Sequence, residues 1–181
     1  GIDVFHGSIE KPSNISTVLR QADGVIHAGF NHDFSRYIEN CETDARFIDH
    51  VARALVGTNK PLIVTSATTV IGENASLETD HAKDYIPRSA SERFLNYTQQ
   101  KVKATVVRLP PTVHGDGDTA FIPALIALAR ERGVSAYVGD GENRWPAVHR
   151  NDAARLYCDT LEKPQAGARF HAVAEGGIRF H

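Results

Sequence analysis

PLIVTS, residues 61–66, is the stretch that decides the fold. It is an almost unbroken apolar run that ends in two hydroxyl residues. A strand of this composition is buried on both faces, which is typical of a parallel sheet covered by helices on both sides. ATVVRL, residues 104–109, has the same character and follows after one further helical pattern. Two buried strands separated by a helix predict an α/β fold.

Apolar runs and helical patterns alternate on both sides of this stretch. Further strands are predicted at 2–5, 24–27, 135–138 and 169–172, and helices at 13–21, 35–56, 88–99, 121–131 and 151–162. The longest helical pattern keeps its apolar residues three or four positions apart and ends at Gly57, a residue that favours a helix end. We therefore expect one α/β domain, residues 1–181, around a mostly parallel sheet.

Composition points to an ordinary globular protein. Hydrophobic residues make up 41% and charged residues 23% of the chain, and the formal net charge is −2. This hydrophobic content excludes disorder, and the small charge gives no reason to expect nucleic acid or membrane as a partner. No apolar run approaches the roughly 18 residues of a membrane span. Two isolated cysteines, Cys41 and Cys158, predict reduced thiols and a cytoplasmic location.

The carboxyl ends of the predicted strands mark the expected binding site. Ligands of open parallel sheets bind beyond these ends. Residues 28–30, 67–69 and 110–112 follow three of the strands. We expect them to line one crevice.

Six segments carry a further signal. They are FHGSI (5–9), DGVIHAG (23–29), ENCET (39–43), TSATTVIG (65–72), RLPPTVHG (108–115) and WPAVHRND (145–152). Each is weak alone, but the ordered set resembles the motifs of extended short-chain dehydrogenases/reductases. The details are most similar to an atypical branch of NAD-dependent epimerase/dehydratase-like proteins.

The resemblance implies a Rossmann-type, doubly wound parallel sheet, with a small C-terminal portion on the substrate side. It also implies NAD or NADP as the cofactor, a small-molecule substrate, and a possible homodimer through the helices at 35–56 and 88–99. In the family, the matching positions place Ser8 and Ile9 beside the adenine, Ala28, Gly29 and Phe30 under the ribose and pyrophosphate, and Pro110, Pro111, Thr112 and Val113 along the nicotinamide.

The glycine-rich phosphate turn of the family, G-x-x-G-x-x-G, does not occur in this sequence. Gly-Asp turns at 115–118 and 139–141 follow late strands and bring carboxylates, which disfavour a pyrophosphate. In the family this turn lies in the first strand–helix unit. We therefore expect the chain to be a fragment that lacks this unit and the C-terminal end.

The family's Tyr-x-x-x-Lys pair is also altered. Tyr97 and Lys101 match its spacing, but they lie too close to the strand at 104–109, so we interpret the match as a coincidence. An alignment on residues 90–92 puts Arg88 in the lysine position and Asp84 in the tyrosine position.

Tyr85, one residue from the tyrosine position, is therefore only a weak candidate for the general acid. Arg88 would supply a fixed positive charge, but unlike lysine it cannot relay a proton. Ser66, or else Thr68, is the candidate for polarising the substrate carbonyl, with capping of a strand end as the structural alternative.

Three residues are candidates for contact with the substrate: His114, Trp145 and His149. Structural roles are equally compatible with them, namely a helix start for the histidines and packing for the tryptophan. The nine histidines are scattered and form no H-E-x-x-H motif, so no metal site is predicted.

The function that follows is an NAD(P)-dependent oxidoreductase or epimerase-like enzyme, which transfers hydride to or from a small carbonyl or hydroxyl substrate. The alternative is a dinucleotide-binding sensor or scaffold that has lost the chemistry. A third possibility is an enzyme whose acid is a histidine or a water.

Overall fold

The computed structural model describes residues 2–12, 15–73 and 77–179, and its centre is a four-stranded sheet. The strands β1 (Val25–His27), β2 (Pro61–Ala67), β3 (Lys103–Leu109) and β6 (Arg169–His171) are neighbours in that order, and every pair is parallel. The predicted parallel α/β sheet, with 61–66 and 104–109 at its centre, is confirmed.

Helices cover both faces of this sheet. The helical elements are α1 (Ser16–Gln21), α2 (Tyr37–Ala54), α3 (Phe121–Arg132), α4 (Arg150–Glu162) and the 3₁₀ segments Phe34–Arg36, Thr68–Ile71 and Pro87–Gln100. Of these, α1, α2 and Pro87–Gln100 pack on one face and α4 on the other, whereas α3 packs against residues 112–114. Leu62 and Val64 of β2 pack with Val51 of α2, whereas Ile63 packs with Ala153 of α4 on the opposite face. This alternation is the doubly wound arrangement that the family resemblance implied.

A second, smaller sheet forms in the C-terminal half. Its strands are β4 (Thr112–His114), β5 (Arg144–His149) and β7 (Glu175–Arg179); β4 pairs with β5 in parallel, and β5 pairs with β7 antiparallel. The sequence pattern missed these strands. Pro146 interrupts β5 and two glycines weaken β7, so neither segment has the composition of a strand.

Two predicted strands are wrong. Residues 2–5 and 135–138 have no regular structure, and Val4 and Val138 are mostly exposed. A strand is stable only with a hydrogen-bonded neighbour, and no described strand pairs with either segment. The apolar pattern of these two segments therefore does not by itself indicate a strand.

The helix boundaries agree closely with the predictions. The helix predicted at 13–21 is α1, although residues 13 and 14 lie outside the described residues. Gly57 follows α2 with a φ of 78°, the left-handed conformation that a glycine at a helix end permits. Within residues 2–12, 15–73 and 77–179, no helix is both long enough and apolar enough to cross a membrane.

Candidate active site

The carboxyl ends of β1, β2 and β3 lie along one edge of the large sheet. Because the three strands are adjacent and parallel, His27, Ala67 and Leu109 end them on the same side. The strand ends that the sequence predicted to lie together are therefore adjacent, and two networks of buried polar side chains lie beside them.

Asp44 is the centre of the first network. It lies on α2 and its exposed fraction is 0%. Its Oδ1 is 2.6 Å from Nε2 of His27, at the end of β1, and its Oδ2 accepts a hydrogen bond from the guanidinium of Arg88. The carboxylate thus joins β1, α2 and the 3₁₀ helix Pro87–Gln100, and each buried charge has a partner.

Arg88 points its guanidinium at the candidate site. Nη2 donates a hydrogen bond of 2.8 Å to the backbone oxygen of Thr65, near the end of β2. The guanidinium carbon lies 4.3 Å from the centre of the Phe30 ring, within the range of a cation–π contact. The fixed positive charge predicted in the lysine position is thus paired with Asp44 and covered by Phe30.

Ser66 belongs to the second network, and its exposed fraction is only 3%. Its Oγ lies 3.1 Å from the Oγ of Ser91, and it also forms a hydrogen bond with the carboxyl group of Glu92. Thr68, the alternative to Ser66, is half-buried in the adjoining 3₁₀ turn. The structure therefore surrounds Ser66 with polar side chains from a neighbouring helix.

Glu92 is held by two arginines. Arg108 donates hydrogen bonds from Nε and Nη2 at 2.7 and 2.8 Å, and Nε of Arg169 donates a third at 3.0 Å. Burial alone would raise the pKa of Glu92, but the hydrogen bonds and charge of Arg108, together with Ser66 and Arg169, outweigh it and lower that pKa. Glu92 is therefore a carboxylate and can only accept hydrogen bonds.

Arg108 extends this network to the edge strand β6. Arg108 is completely buried. Its Nη2 donates a hydrogen bond of 2.9 Å to the backbone oxygen of Asp80, and its Nη1 lies 3.2 Å from Nε2 of His171. Burial, and then the charge of Arg108, lower the pKa of His171. A neutral imidazole can accept a hydrogen bond from Arg108, so this arginine has hydrogen-bond acceptors on both Glu92 and His171.

Tyr85 lies apart from these networks. Its side chain is 79% exposed, and it lines a surface groove of about 860 Å³ between α2 and the 3₁₀ helix Pro87–Gln100. No described hydrogen bond or ring contact joins it to Ser66 or Arg88.

Tyr97 lines the same groove and donates a hydrogen bond of 2.5 Å to Asp49. Lys101 is exposed and has a left-handed φ of 59° at the helix end.

The residues predicted around the adenine and pyrophosphate are mostly accessible. Ser8 is exposed, and its Oγ accepts a hydrogen bond from a nearby backbone N–H, while Ile9 packs against the core. Ala28 and Gly29 are exposed directly after β1, and Phe30 is half-buried over Arg88. The end of β1 therefore presents a small, open surface.

The segment 110–113 leads from the large sheet to the small one. Pro110 and Thr112 are buried, and Pro111 and Val113 are half-buried. Oγ1 of Thr112 accepts a hydrogen bond of 2.7 Å from the indole of Trp145. This segment thus fixes one of the predicted substrate residues.

The three predicted substrate residues lie on the small sheet. Trp145 stacks on Phe121 at 5.1 Å, and the rings of His114 and His149 meet edge to face at 5.5 Å. Nδ1 of His149 accepts a hydrogen bond from the backbone N–H of Asn151, so the helix-start role left open by the sequence holds for this histidine. His114 and Trp145 line a cavity between α3 and the small sheet, but His149 does not.

Sequence reasoning missed Asp44, Glu92 and the pair Thr65–Tyr157, whose hydroxyl oxygens are 2.6 Å apart. Asp44 had a detectable signal. It lies three residues after Cys41 and four before Ile48, on the apolar face of its helix, where an unpaired carboxylate would be destabilising. The partner of Glu92 comes from a distant strand, so no local pattern could reveal it.

A parallel sheet covered on both faces, with small open residues and fixed polar side chains at the ends of its central strands, defines a Rossmann-type α/β protein. The family model "NAD dependent epimerase/dehydratase family" matches residues 2–174. The chain therefore belongs to this family, as the sequence motifs predicted.

Two curated fungal proteins are similar over almost the whole chain. The uncharacterized protein C2A9.02 of Schizosaccharomyces pombe is 49% identical over 178 residues, which cover 96% of this chain and 60% of that protein. The uncharacterized protein YLL056C of Saccharomyces cerevisiae is 38% identical over 181 residues, which cover 98% of this chain and 61% of that protein. The chain thus spans about three fifths of these relatives.

Solved structures share the fold at low sequence identity. DesIV, a dTDP-glucose 4,6-dehydratase from Streptomyces venezuelae with NAD and TYD bound, has a TM-score of 0.79 at 19% identity. The match covers 97% of this chain and 59% of the DesIV chain. UDP-glucuronic acid 4-epimerase from Bacillus cereus in complex with NAD has a TM-score of 0.73 at 16% identity, covering 92% and 59%. These similarities establish the fold.

Proposed function

We propose that residues 1–181 form the cofactor-binding core of an NAD(P)-dependent oxidoreductase or epimerase acting on a small carbonyl or hydroxyl compound. The observation that carries this proposal is the sheet edge at which the open residues Ala28 and Gly29 lie beside the fixed side chains of Ser66 and Arg88. Membership of an NAD-dependent family and the NAD-bound structural neighbours support it.

The described residues fit the ribose and nicotinamide half of such a cofactor. Ala28 and Gly29 allow close approach of a flat ligand, and the guanidinium of Arg88 lies beneath Phe30 at the same edge. The family's glycine-rich turn does not occur in residues 1–181, so these residues would provide only part of the pyrophosphate contact. When bound, the nicotinamide supplies or accepts the hydride.

Ser66 would polarise the oxygen of the substrate. Its Oγ accepts a hydrogen bond of 3.1 Å from the Oγ of Ser91, which leaves the proton of Ser66 for another acceptor. We therefore propose, as the sequence suggested, that Ser66 donates this proton in a hydrogen bond to a substrate carbonyl oxygen, with the carboxylate of Glu92 as its acceptor when no substrate is bound.

The same substrate oxygen takes up a proton when the carbonyl is reduced, and this proton needs a donor. Tyr85 remains the proposed group, and it would have to move from the surface groove to the sheet edge. His114 or a water is the alternative, since Arg88 cannot exchange protons near neutral pH.

A sensor or scaffold that binds a dinucleotide without turnover is the second candidate. Three observations favour it: Ser66 is buried, Tyr85 is exposed, and Asp44 neutralises Arg88. This function requires cofactor binding but no proton-transfer group.

Cofactor binding is tested by NADH fluorescence. We expect Ala28→Glu to weaken NADH binding at least about tenfold, because the new carboxylate would face the negative pyrophosphate. Ala166→Glu is the matched control, since this exposed alanine lies near the opposite ends of the strands, after α4, and should leave binding unchanged. If the full-length wild-type protein does not bind NADH, both candidate functions are wrong.

Turnover separates the two candidates. With NAD for UDP-glucose, UDP-glucuronic acid and dTDP-glucose, and with NADH for simple aldehydes, we expect Ser66→Ala and Tyr85→Phe each to lower kcat by about 100-fold. Turnover that survives both substitutions contradicts the proposed residue roles. NADH binding without turnover of any compound supports the sensor.

We also propose that two copies associate through the groove between α2 and the 3₁₀ helix Pro87–Gln100. Ile38 is 63% exposed there, and Glu42, Arg46, Asp49 and Arg93 place both signs of charge along the groove. Sedimentation should show a dimer, and Ile38→Glu should convert it to a monomer. Val138→Glu, at a more exposed valine outside the groove, should leave the dimer intact; a wild-type monomer contradicts the proposal.

For the location we propose the cytoplasm. Neither Cys41 nor Cys158 forms a disulfide. Burial raises the pKa of the Cys41 thiol, which suits a structural thiol.

A further inference from the structure

Ser91 is a buried hydroxyl residue that contacts Ser66 from the neighbouring helix. It lies on the 3₁₀ helix Pro87–Gln100, and its exposed fraction is 1%. Its Oγ lies 3.1 Å from the Oγ of Ser66 and 2.9 Å from the backbone oxygen of Arg88, and it donates to both. One hydroxyl proton shared between two acceptors is a three-centre hydrogen bond. Ser91 thereby joins the end of β2 to the start of that helix.

The hydroxyl group of Ser66 has three staggered directions around its oxygen. One direction receives the proton of Ser91, so a lone pair of Ser66 must point there. The proton of Ser66 therefore takes one of the two other directions. One of these leads to the carboxylate of Glu92, and the other is left for a substrate oxygen.

Glu92 can release the Ser66 proton at little cost. A carboxylate has roughly four acceptor positions. Three of them are filled by Nε and Nη2 of Arg108 and by Nε of Arg169. The carboxylate keeps these three charged hydrogen bonds when Ser66 turns away, so both directions of the Ser66 proton are compatible with the buried network.

We propose that Ser91 is a positioning residue for the reaction. Its hydrogen bond fixes the direction of the Ser66 hydroxyl group, and it strengthens the hydrogen bond that Ser66 donates to the substrate, because hydrogen bonds in a chain polarise one another. The inference rests on the proposed function, since Ser91 acts only through Ser66. Ser91 itself needs no contact with the substrate, which agrees with its burial.

A double-mutant cycle tests the proposal. The full-length wild-type protein, Ser66→Ala, Ser91→Ala and the double variant are assayed with NADH for acetaldehyde and benzaldehyde, and with NAD for UDP-glucose, UDP-glucuronic acid and dTDP-glucose. We expect Ser91→Ala to lower kcat about tenfold while KM and NADH binding stay unchanged, because the lost interaction acts in the transition state. Ser66→Ala and the double variant should both lose about 100-fold, since Ser91 has nothing to position once the Ser66 hydroxyl group is gone.

Ser89→Ala is the matched control. Ser89 is a serine of the same helix and is also buried, at 6% exposure, and no described side-chain hydrogen bond joins it to Ser66. Its variant should keep the wild-type kcat. Ser91→Cys has nearly the size of serine but only a weak S–H donor, and it replaces Ser91→Ala in the cycle if that variant does not fold.

A wild-type kcat in Ser91→Ala overturns the proposal, as does an equal loss in Ser89→Ala. Losses that multiply to about 1000-fold in the double variant also overturn it, because Ser91 would then act independently of Ser66. In all three cases the wild-type protein still turns over a substrate, so the proposed function stands. Absence of turnover in the full-length wild-type protein is the separate result that removes the proposed enzyme function, and the positioning role with it.

Discussion

Asp44→Asn is expected to lower the free energy of unfolding by about 3–5 kcal/mol, measured by urea denaturation. The substitution keeps the shape of the side chain but removes its charge. The guanidinium of Arg88 then remains buried without a counter-ion, and the partner of His27 at 2.6 Å loses its charge. The cost is high because neither group can reach water without opening the packing of α2 against the sheet.

Asp49→Asn is the matched control on the same helix. Asp49 is also an aspartate with an arginine partner, Arg53 at 2.7 Å, but it is 45% exposed. Solvent screens this pair, so we expect a change below about 1 kcal/mol. Similar losses for the two variants would contradict the assignment of Asp44 as the buried centre of the network.

Glu92→Gln is expected to cost about 3–5 kcal/mol near neutral pH, for the same physical reason. Arg108 is completely buried and would lose both of its charged hydrogen-bond acceptors, and Arg169 would lose one. Glu39→Gln is the control, since its ion pair with Arg36 is exposed and its removal should have no measurable effect.

The difference between wild type and Glu92→Gln should depend on pH. The arginines and Ser66 outweigh burial and hold the pKa of Glu92 below its ordinary value of about 4.3. The ionised group therefore stabilises the fold fully above that ordinary value, and this contribution is lost as the pH falls through the lower pKa of the folded state. The two unfolding free energies should converge in acid; a constant difference down to the lowest measurable pH would exclude Glu92 as the titrating group.

The sheet was predictable because its central strands are buried on both faces. In β2 and β3 the apolar run is continuous, so each strand is evident in the sequence without knowledge of its neighbours. Residues 2–5 looked equally strand-like but have no described pairing strand, whereas β7 is a strand despite its two glycines because β5 lies beside it. Pairing is a tertiary property that a local pattern does not contain.

The site was predictable to the level of strand ends. Residues 28–30 and Ser66 lie at the edge where the sequence placed them. The partners that decide their chemistry were not predictable, since Glu92 and Arg108 are joined through space across the sheet. The polar surroundings of Ser66 therefore emerge only from the structure.

The large sheet tapers from its middle to its margins. β2 and β3 have seven residues each, whereas the outer strands β1 and β6 have three. Outer strands expose unpaired backbone N–H and C=O groups that can recruit a strand from another molecule, and short ones offer few such groups. Within residues 2–12, 15–73 and 77–179, the short outer strands therefore leave few backbone groups for pairing with a strand of another molecule.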